Sequence, residues 1–271
     1  MIDNEEIRSA MALVHLQMYD NEAELLQTIQ GIGSAAQTLR FLNTEQTEQA
    51  LQWADDELQA MTQYGIQPLL YGTSHYPQRL MTCLDAPLVL YQLGPANLNA
   101  THVVSIVGTR HCTPEGQQRT QQLVQTLHQR YGHQLLVVSG LAKGIDVSAH
   151  RQALAHDIAT VGVLGHGLGT LYPAAHRHEA EAMARQGALL TEYPLSTPPH
   201  ASRFLQRNRL IAALADEIYI IESAARGGAL SAMHHARRYR RPCYAWTGIE
   251  GKTRSTGCQL LIENGYAEPL A

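Results

Sequence analysis

Beyond residue 102 the chain carries six short apolar runs, at 103–107, 135–138, 160–164, 188–191, 218–221 and 243–246, with helix-length stretches between them. Runs apolar at every position fit strands buried on both faces. Alternating with helices, they predict a mainly parallel sheet covered on both sides, the doubly wound α/β architecture of Rossmann-like proteins. In such a sheet a ligand lies beyond the carboxyl ends of the strands. The residues just after each run are therefore where chemistry is expected.

Upstream the texture differs. Between Gly65 and Gly94, short apolar pieces are broken by Pro68, Pro77 and Pro87, and Leu88-Val89-Leu90-Tyr91 reads as an edge strand extending the sheet. Residues 5–19 and 45–61 place apolar side chains at helical spacing, separated by Gly31-Ile32-Gly33 and the run after it. The expected organisation is a small all-helical domain over 1–62, of the SAM or helix-hairpin-helix kind, followed by an extended Rossmann-like domain over 63–271. The Gly-Ile-Gly turn is either a tight interhelical connection or a hairpin whose N–H groups hold a DNA phosphate, and the acids around it weigh against the second.

Those acids matter for the charge balance. Residues 1–60 hold eleven acids (Asp3, Glu5, Glu6, Asp20, Glu22, Glu24, Glu45, Glu48, Asp55, Asp56 and Glu57) against Arg8 and Arg40. The net charge of −4 thus divides into −9 there and +5 over the remainder. Residues 200–254 carry Arg203, Arg207, Arg209, Arg226, Arg237, Arg238, Arg240, Arg241, Lys252 and Arg254 against Asp216, Glu217, Glu222 and Glu250. A basic face is available if the fold gathers these. Cys83, Cys112, Cys243 and Cys258 stand far apart without a CxxC pair, which fits free thiols in a reducing cytosol. The acidic start Met1-Ile2-Asp3-Asn4-Glu5-Glu6 lacks the pattern of a secretory signal, and no apolar run approaches the ~20 residues of a membrane helix, so a cytoplasmic location with no membrane association is expected.

The loops after the strands are rich in small residues. They read Gly108-Thr109-Arg110, then Ser139-Gly140-Leu141-Ala142-Lys143-Gly144-Ile145-Asp146, then Gly165-His166-Gly167-Leu168-Gly169. Small residues let a phosphate approach the backbone, and the helices behind offer unpaired N–H groups and a positive dipole end. With Arg110 and Lys143 they make a phosphate-binding rim. Neither a dinucleotide fingerprint nor a Walker A loop is present, so no nucleotide cofactor is expected. Further on, a helix through Arg203, Phe204, Arg207, Asn208 and Arg209 would put Arg203 and Arg207 on one face, fit for tracking a nucleic-acid backbone with a base stacked on an aromatic ring. Arg226, in Arg226-Gly227-Gly228-Ala229-Leu230, follows the fifth run and should reach the same rim. Tyr172 is either a stacking platform at the pocket mouth or the packing residue before Pro173.

In this order, Gly108-Thr109-Arg110, residues 139–150 (SGLAKGIDVSAH), residues 165–173 (GHGLGTLYP) and Arg207-Asn208-Arg209 resemble the hallmarks of the DprA/Smf family. The resemblance covers residues 65–267 well and the N-terminal helices loosely. It implies a pocket at the carboxyl edge of the sheet that binds single-stranded DNA, a homodimer, and delivery of the strand to the RecA recombinase in natural transformation, without catalysis. Matching positions put Arg110 and Lys143 on phosphates, assisted by backbone N–H groups of Gly108, Ser139 and Gly140. Arg203, Arg207 and Arg209 either extend that surface or brace the pocket through ion pairs. The full candidate set is Gly108, Thr109, Arg110, Ser139, Gly140, Lys143, Gly144, Gly165, Gly167, Tyr172, Arg203, Arg207, Asn208, Arg209 and Arg226. Departures from the family pattern are His176 where Asn is common, Gly227-Gly228-Ala229 in place of Ser-Gly-Ser, and a missing Asp near Gly169. The C-terminal winged helix of many relatives is not expected.

The residues bear on two other chemistries. A nucleotide phosphoribohydrolase of similar build would need a poised carboxylate, for which Asp146 and Glu192 are placed, but its PGGxGT phosphate loop is not found. Asp146 fits equally a charge stabilising a helix N-terminus. The histidine pairs His176/His178 and His234/His235 have the wrong spacing for a shared metal on a helix, where i and i+4 is needed, and no metal is expected.

Overall fold

A computed structural model of the chain describes residues 4–19, 21–42, 44–248 and 255–270. Asp3, Asp20, Glu250, Lys252 and Arg254, counted above among the charges, lie outside them. Each apolar run forms a strand: β3 (His102–Gly108), β4 (Leu135–Ser139), β5 (Ala159–Val163), β6 (Ala188–Thr191), β7 (Glu217–Ile221) and β8 (Cys243–Trp246), with β1 (Ile66–Leu70) and β2 (Val89–Leu93) before them and a two-residue β9 (Glu268–Pro269) after. They form one sheet in the order β1-β2-β6-β5-β4-β3-β7-β8-β9. From β6 to β9 every pairing is parallel, and β1 and β2 add an antiparallel hairpin on the β6 edge, with Tyr91 opposite Thr191.

Both faces are covered, which is why the strands lack polar alternation. Val103 and Val107 pack with α9 (Ala201–Leu214) and α10 (Ala229–Arg238) on one face. Val104 and Ile106 pack with α6 (Pro114–Tyr131) and α7 (Ile145–Ala155) on the other. Successive side chains of a strand point to opposite faces, so every position meets a helix layer. The Ser105 hydroxyl, facing α9, is satisfied by donating to the Ile211 carbonyl at 2.6 Å.

The N-terminal segment forms four helices, two more than the apolar spacing reveals: α1 (Asn4–Leu16), α2 (Glu22–Ile32), α3 (Ala35–Leu42) and α4 (Glu45–Gln63). Asn21 caps α2 by accepting from the Glu24 N–H, and Thr44 with Thr47 forms a capping box on α4. Gly31 and Ile32 lie inside α2, and the turn falls at Gly33. A DNA phosphate has no vacancy there. The Glu6 carboxylate already accepts from the Ala35 and Ala36 N–H groups at 2.5 and 3.1 Å, filling the start of α3 with the protein's own anion. The helices share a core with the sheet edge, in which Met11, Leu13, Ala54 and Met61 meet Ile66, Leu70, Val89 and Tyr91.

Candidate nucleic-acid interface

β3 and β7 are neighbours, yet the helices after them, α6 and α10, go to opposite faces. That divergence opens a crevice at the carboxyl ends of the strands, the usual ligand position in a doubly wound sheet. A cavity of about 700 Å³ fills it, lined by Gly108–His111 after β3, Ser223, Ala224, Gly227 and Gly228 after β7, Ala142 and Asp146 after β4, and Pro199, His200, Phe204, Arg207 and Asn208 around the start of α9. Its size is in the range of ~300–1,000 Å³ seen for small-molecule and nucleotide sites.

Thr109 ties the loops together. Its N–H donates to the Glu222 carbonyl at 2.8 Å and its carbonyl accepts from the Ile145 N–H at 3.2 Å, so the β7 and β4 loops hang on one residue of the β3 loop. Gly144 makes the approach possible. It sits at φ +82°, and a β-carbon there would collide with the Thr109 carbonyl oxygen and lie 2.9 Å from Arg110 Cα. Gly144→Ala is therefore expected to destabilise the protein by at least about 1–3 kcal/mol, the cost of a side chain in a glycine-only conformation, as a lower urea midpoint.

The next layer corrects the expected phosphate cradle. Backbone N–H groups of Gly108, Gly140 and Ala142 converge on the Asp146 carboxylate, which is 6% exposed. The anion slot at the start of α7 thus holds the protein's own carboxyl group. Burial pushes the Asp146 carboxyl up, and Arg207 with the three N–H groups pulls it back. Arg207, 4% exposed, donates to the carbonyls of Gly140, at 2.7 Å, and Val163. A β-carbon on Gly140 would come within 2.6 Å of both Arg207 Nη2 and Asp146 Oδ2, so this glycine makes room for the guanidinium and the carboxylate together. The Ser139 hydroxyl is wholly buried and donates to the Ile106 carbonyl at 2.6 Å. Ser139 and Gly140 do not line the cavity.

Helix α9 forms as expected, but its arginines make no shared basic face. Arg203 Nη1 donates to the Pro198 carbonyl at 2.7 Å, with its guanidinium 5.6 Å from the Tyr193 ring centre. Arg209 pairs with Glu192, both side chains more than nine-tenths buried. Asn208 lines the cavity and spends its amide on the Gly228 carbonyl and Ser231 hydroxyl, at 3.3 and 2.9 Å. In each case packing brings an acceptor to the donor: the carbonyls of Gly140 and Val163 at the ends of β4 and β5 for Arg207, and loop carbonyls, a hydroxyl and the Glu192 carboxylate for the others. The glycines after β5 are likewise packed. Gly165 lies against Phe204 and Arg203 of α9, and Gly167 donates its N–H to the Thr197 carbonyl at 2.9 Å.

At the surface, Arg110, Lys143 and Arg226 are exposed and form no ion pair with any described residue. Arg110 lines the cavity, whereas Lys143 and Arg226 follow or precede lining residues, Ala142 and Gly227. Tyr172, 50% exposed, stacks on Phe204 with centroids 5.5 Å apart and an interplanar angle of 27°. His111, His200, Leu205 and Ser223 also line the cavity, although no motif marks them in the sequence. Their signal was positional, since each flanks a strand end or the start of α9.

The hydrolase carboxylates are both engaged. Asp146 is held by three N–H groups beside Arg207, and Glu192 lies outside the cavity lining, paired with Arg209. His176 is buried and donates from Nδ1 to the Leu141 carbonyl at 2.8 Å. No cluster of three or more His, Cys, Asp or Glu among the described residues is placed to hold a metal ion, and none of the described helices is long and apolar enough to cross a membrane. The four cysteines are free thiols.

Sheet order and cavity together define a doubly wound Rossmann-like protein whose switch-point crevice is bordered by exposed cations with no ion-pair partner among the described residues. The sequence profile of the DNA recombination-mediator protein A family matches residues 67–271, and the chain belongs to that family. It is 40% identical over 189 residues to a putative DNA processing protein DprA of Mycobacterium tuberculosis, an alignment covering 69% of this chain and 48% of that protein. The chain thus spans about half the length of the curated relatives that it matches most strongly. The crystal structure of DNA processing protein A from Streptococcus pneumoniae superposes with a TM-score of 0.81 at 26% identity, over 99% of this chain and 95% of that one. DNA processing protein A from Helicobacter pylori, described for its single-stranded DNA binding mode, superposes with a TM-score of 0.68 at 28% identity, over 76% of this chain and 91% of that one.

Proposed function

We propose that this protein binds single-stranded DNA in the switch-point crevice, chiefly through phosphates and with little sequence preference. The observation that carries this reading is the division of charge at the site. The cations beneath the crevice are spent on carbonyls and carboxylates, while Arg110, Lys143 and Arg226 stand exposed around its rim without an ion-pair partner among the described residues. Such cations suit phosphates, and the exposed Tyr172 ring on Phe204 offers a face for an unpaired base, which a duplex does not provide. Thr109 and the backbone of Gly108 and Gly144 shape the rim beside Arg110.

Within this reading the protein acts without catalysis, as a cytoplasmic homodimer that hands the strand to the RecA recombinase during natural transformation. That step rests on family membership. The helical segment 1–62 and the Rossmann-like segment 63–271 are proposed as its two units, with the acidic first unit unsuited to touching DNA.

The test is fluorescence anisotropy with a labelled strand of about 20 nucleotides and with its duplex, at several salt concentrations. We expect tighter binding of the single strand, with log Kobs falling linearly against log salt at about 0.7 per phosphate contact. Equal affinity for the duplex, or binding indifferent to salt, would refute the reading.

A further inference from the structure

The loop after β5 reaches the crevice at Tyr172, and its far side is gripped by the N-terminal helices. Gly167 and Gly169 donate their N–H groups to the carbonyls of Thr197 and Leu195, each at 2.9 Å. A β-carbon on Gly167 would collide with the carbonyls of Pro194 and Leu195, so the two segments are in direct backbone contact. His166, wholly buried, links the loop's start to its end, with Nδ1 2.9 Å from the Gly167 carbonyl and Nε2 3.4 Å from the Tyr172 carbonyl. The 194–197 segment is itself held from α4, where the Glu57 carboxylate accepts a short hydrogen bond from the Leu195 N–H. Leu168 and Leu195 pack against the core of the helical unit.

We infer that Glu57 is a positioning residue for the crevice: through Leu195 and the 165–172 loop it fixes Tyr172 at the mouth, making the acidic helical unit a determinant of single-strand affinity that touches no DNA. Two observations on the same path support this. One is the charge-assisted hydrogen bond at Leu195 N–H, a class roughly twice as strong as a neutral one. The other is the packing of half-buried Leu168, the residue between Gly167 and Gly169, between the core that the N-terminal helices share with β1 and β2 and the Leu141, Leu164 and Leu189 cluster beside its own strand. The inference rests on the single-strand reading of the crevice.

The sign of the effect distinguishes positioning from general electrostatics. Removing an acid from a protein that binds a polyanion raises affinity if only charge matters. Loss of the loop's anchor lowers it. The experiment uses the full chain and a labelled oligothymidine of about 20 nucleotides, comparing wild type, Glu57→Ala, Glu57→Gln, Tyr172→Ala and Glu57→Ala with Tyr172→Ala, with urea unfolding of each. We expect Glu57→Ala to weaken binding about fivefold with an unchanged salt slope, because no phosphate contact is lost. Glu57→Gln, which keeps an acceptor oxygen for Leu195, restores most of the affinity, and Glu57→Ala adds nothing once Tyr172 is alanine. Unchanged or tighter binding by Glu57→Ala, or full additivity with Tyr172→Ala, overturns the inference while leaving the single-strand reading intact. A wild-type protein that does not bind the oligonucleotide overturns that reading instead.

Discussion

Arg207→Ala is expected to cost about 3–5 kcal/mol of folding stability, since it strips the donor from two buried carbonyls at about 1–3 kcal/mol each. The guanidinium donates to two strand-end carbonyls, those of Gly140 and Val163, and its charge offsets that of Asp146. Its removal leaves both carbonyls unpaired and takes away the charge that pulls the buried Asp146 carboxyl down. Burial, joined by the charge of Arg110 and opposed by Asp146, holds the Arg207 guanidinium down to about 10, so it stays charged at neutral pH. At roughly 2–4 °C per kcal/mol for a domain of this size class, the expected fall in Tm is about 10 °C. Asp146→Asn combined with Arg207→Ala should cost less than the sum of the single variants, because each then removes the other's unpaired charge. Urea unfolding of the three variants checks this, and a loss under about 1 kcal/mol in Arg207→Ala would show that the residue is not the brace described.

Combined replacement of Arg110 and Lys143 by alanine should leave stability unchanged and remove most single-strand affinity. Both side chains are exposed and neither has an ion-pair partner among the described residues, so folding has little invested in them. A charge-assisted hydrogen bond to phosphate is worth about 1–3 kcal/mol, so the double variant should bind at least about 30-fold more weakly at low salt. Two lost phosphate contacts also make the plot of log Kobs against log salt shallower by about 1.4. Affinity and slope move together only if these residues meet phosphate. Wild-type affinity retained in this variant would place the DNA elsewhere on the protein.

Arg110 and Arg207 both line one crevice, and the sequence placed Arg110 on phosphate while leaving Arg207 open between phosphate contact and a brace. What separated them was accessibility. Arg207 sits on an α-helix that passes beneath the ends of β4 and β5, and its acceptors come from residues 67 and 44 positions away. No local pattern encodes such a meeting. The glycines behaved the same way: Gly140 and Gly167 suggested room for phosphate, and the room is taken by Arg207 with Asp146 and by the 194–195 backbone. In the helical unit, α2 and α3 escaped the periodicity reading because each buries only two or three side chains, too few to mark an apolar face.

By itself, then, the sequence determined the strands, their burial on both faces, the doubly wound class and the loops that border the ligand crevice. These follow from local apolar runs and from the rule that parallel strands need helical crossovers. Only the tertiary structure decided which donors remain free for a ligand. A hydrogen-bond donor is available or spent according to the acceptor that packing brings within about 3 Å of it, and those acceptors come from distant segments of the chain. Asp146 in its nest of N–H groups, Arg207 beneath Gly140 and Glu57 on the Leu195 N–H are all decisions of that kind.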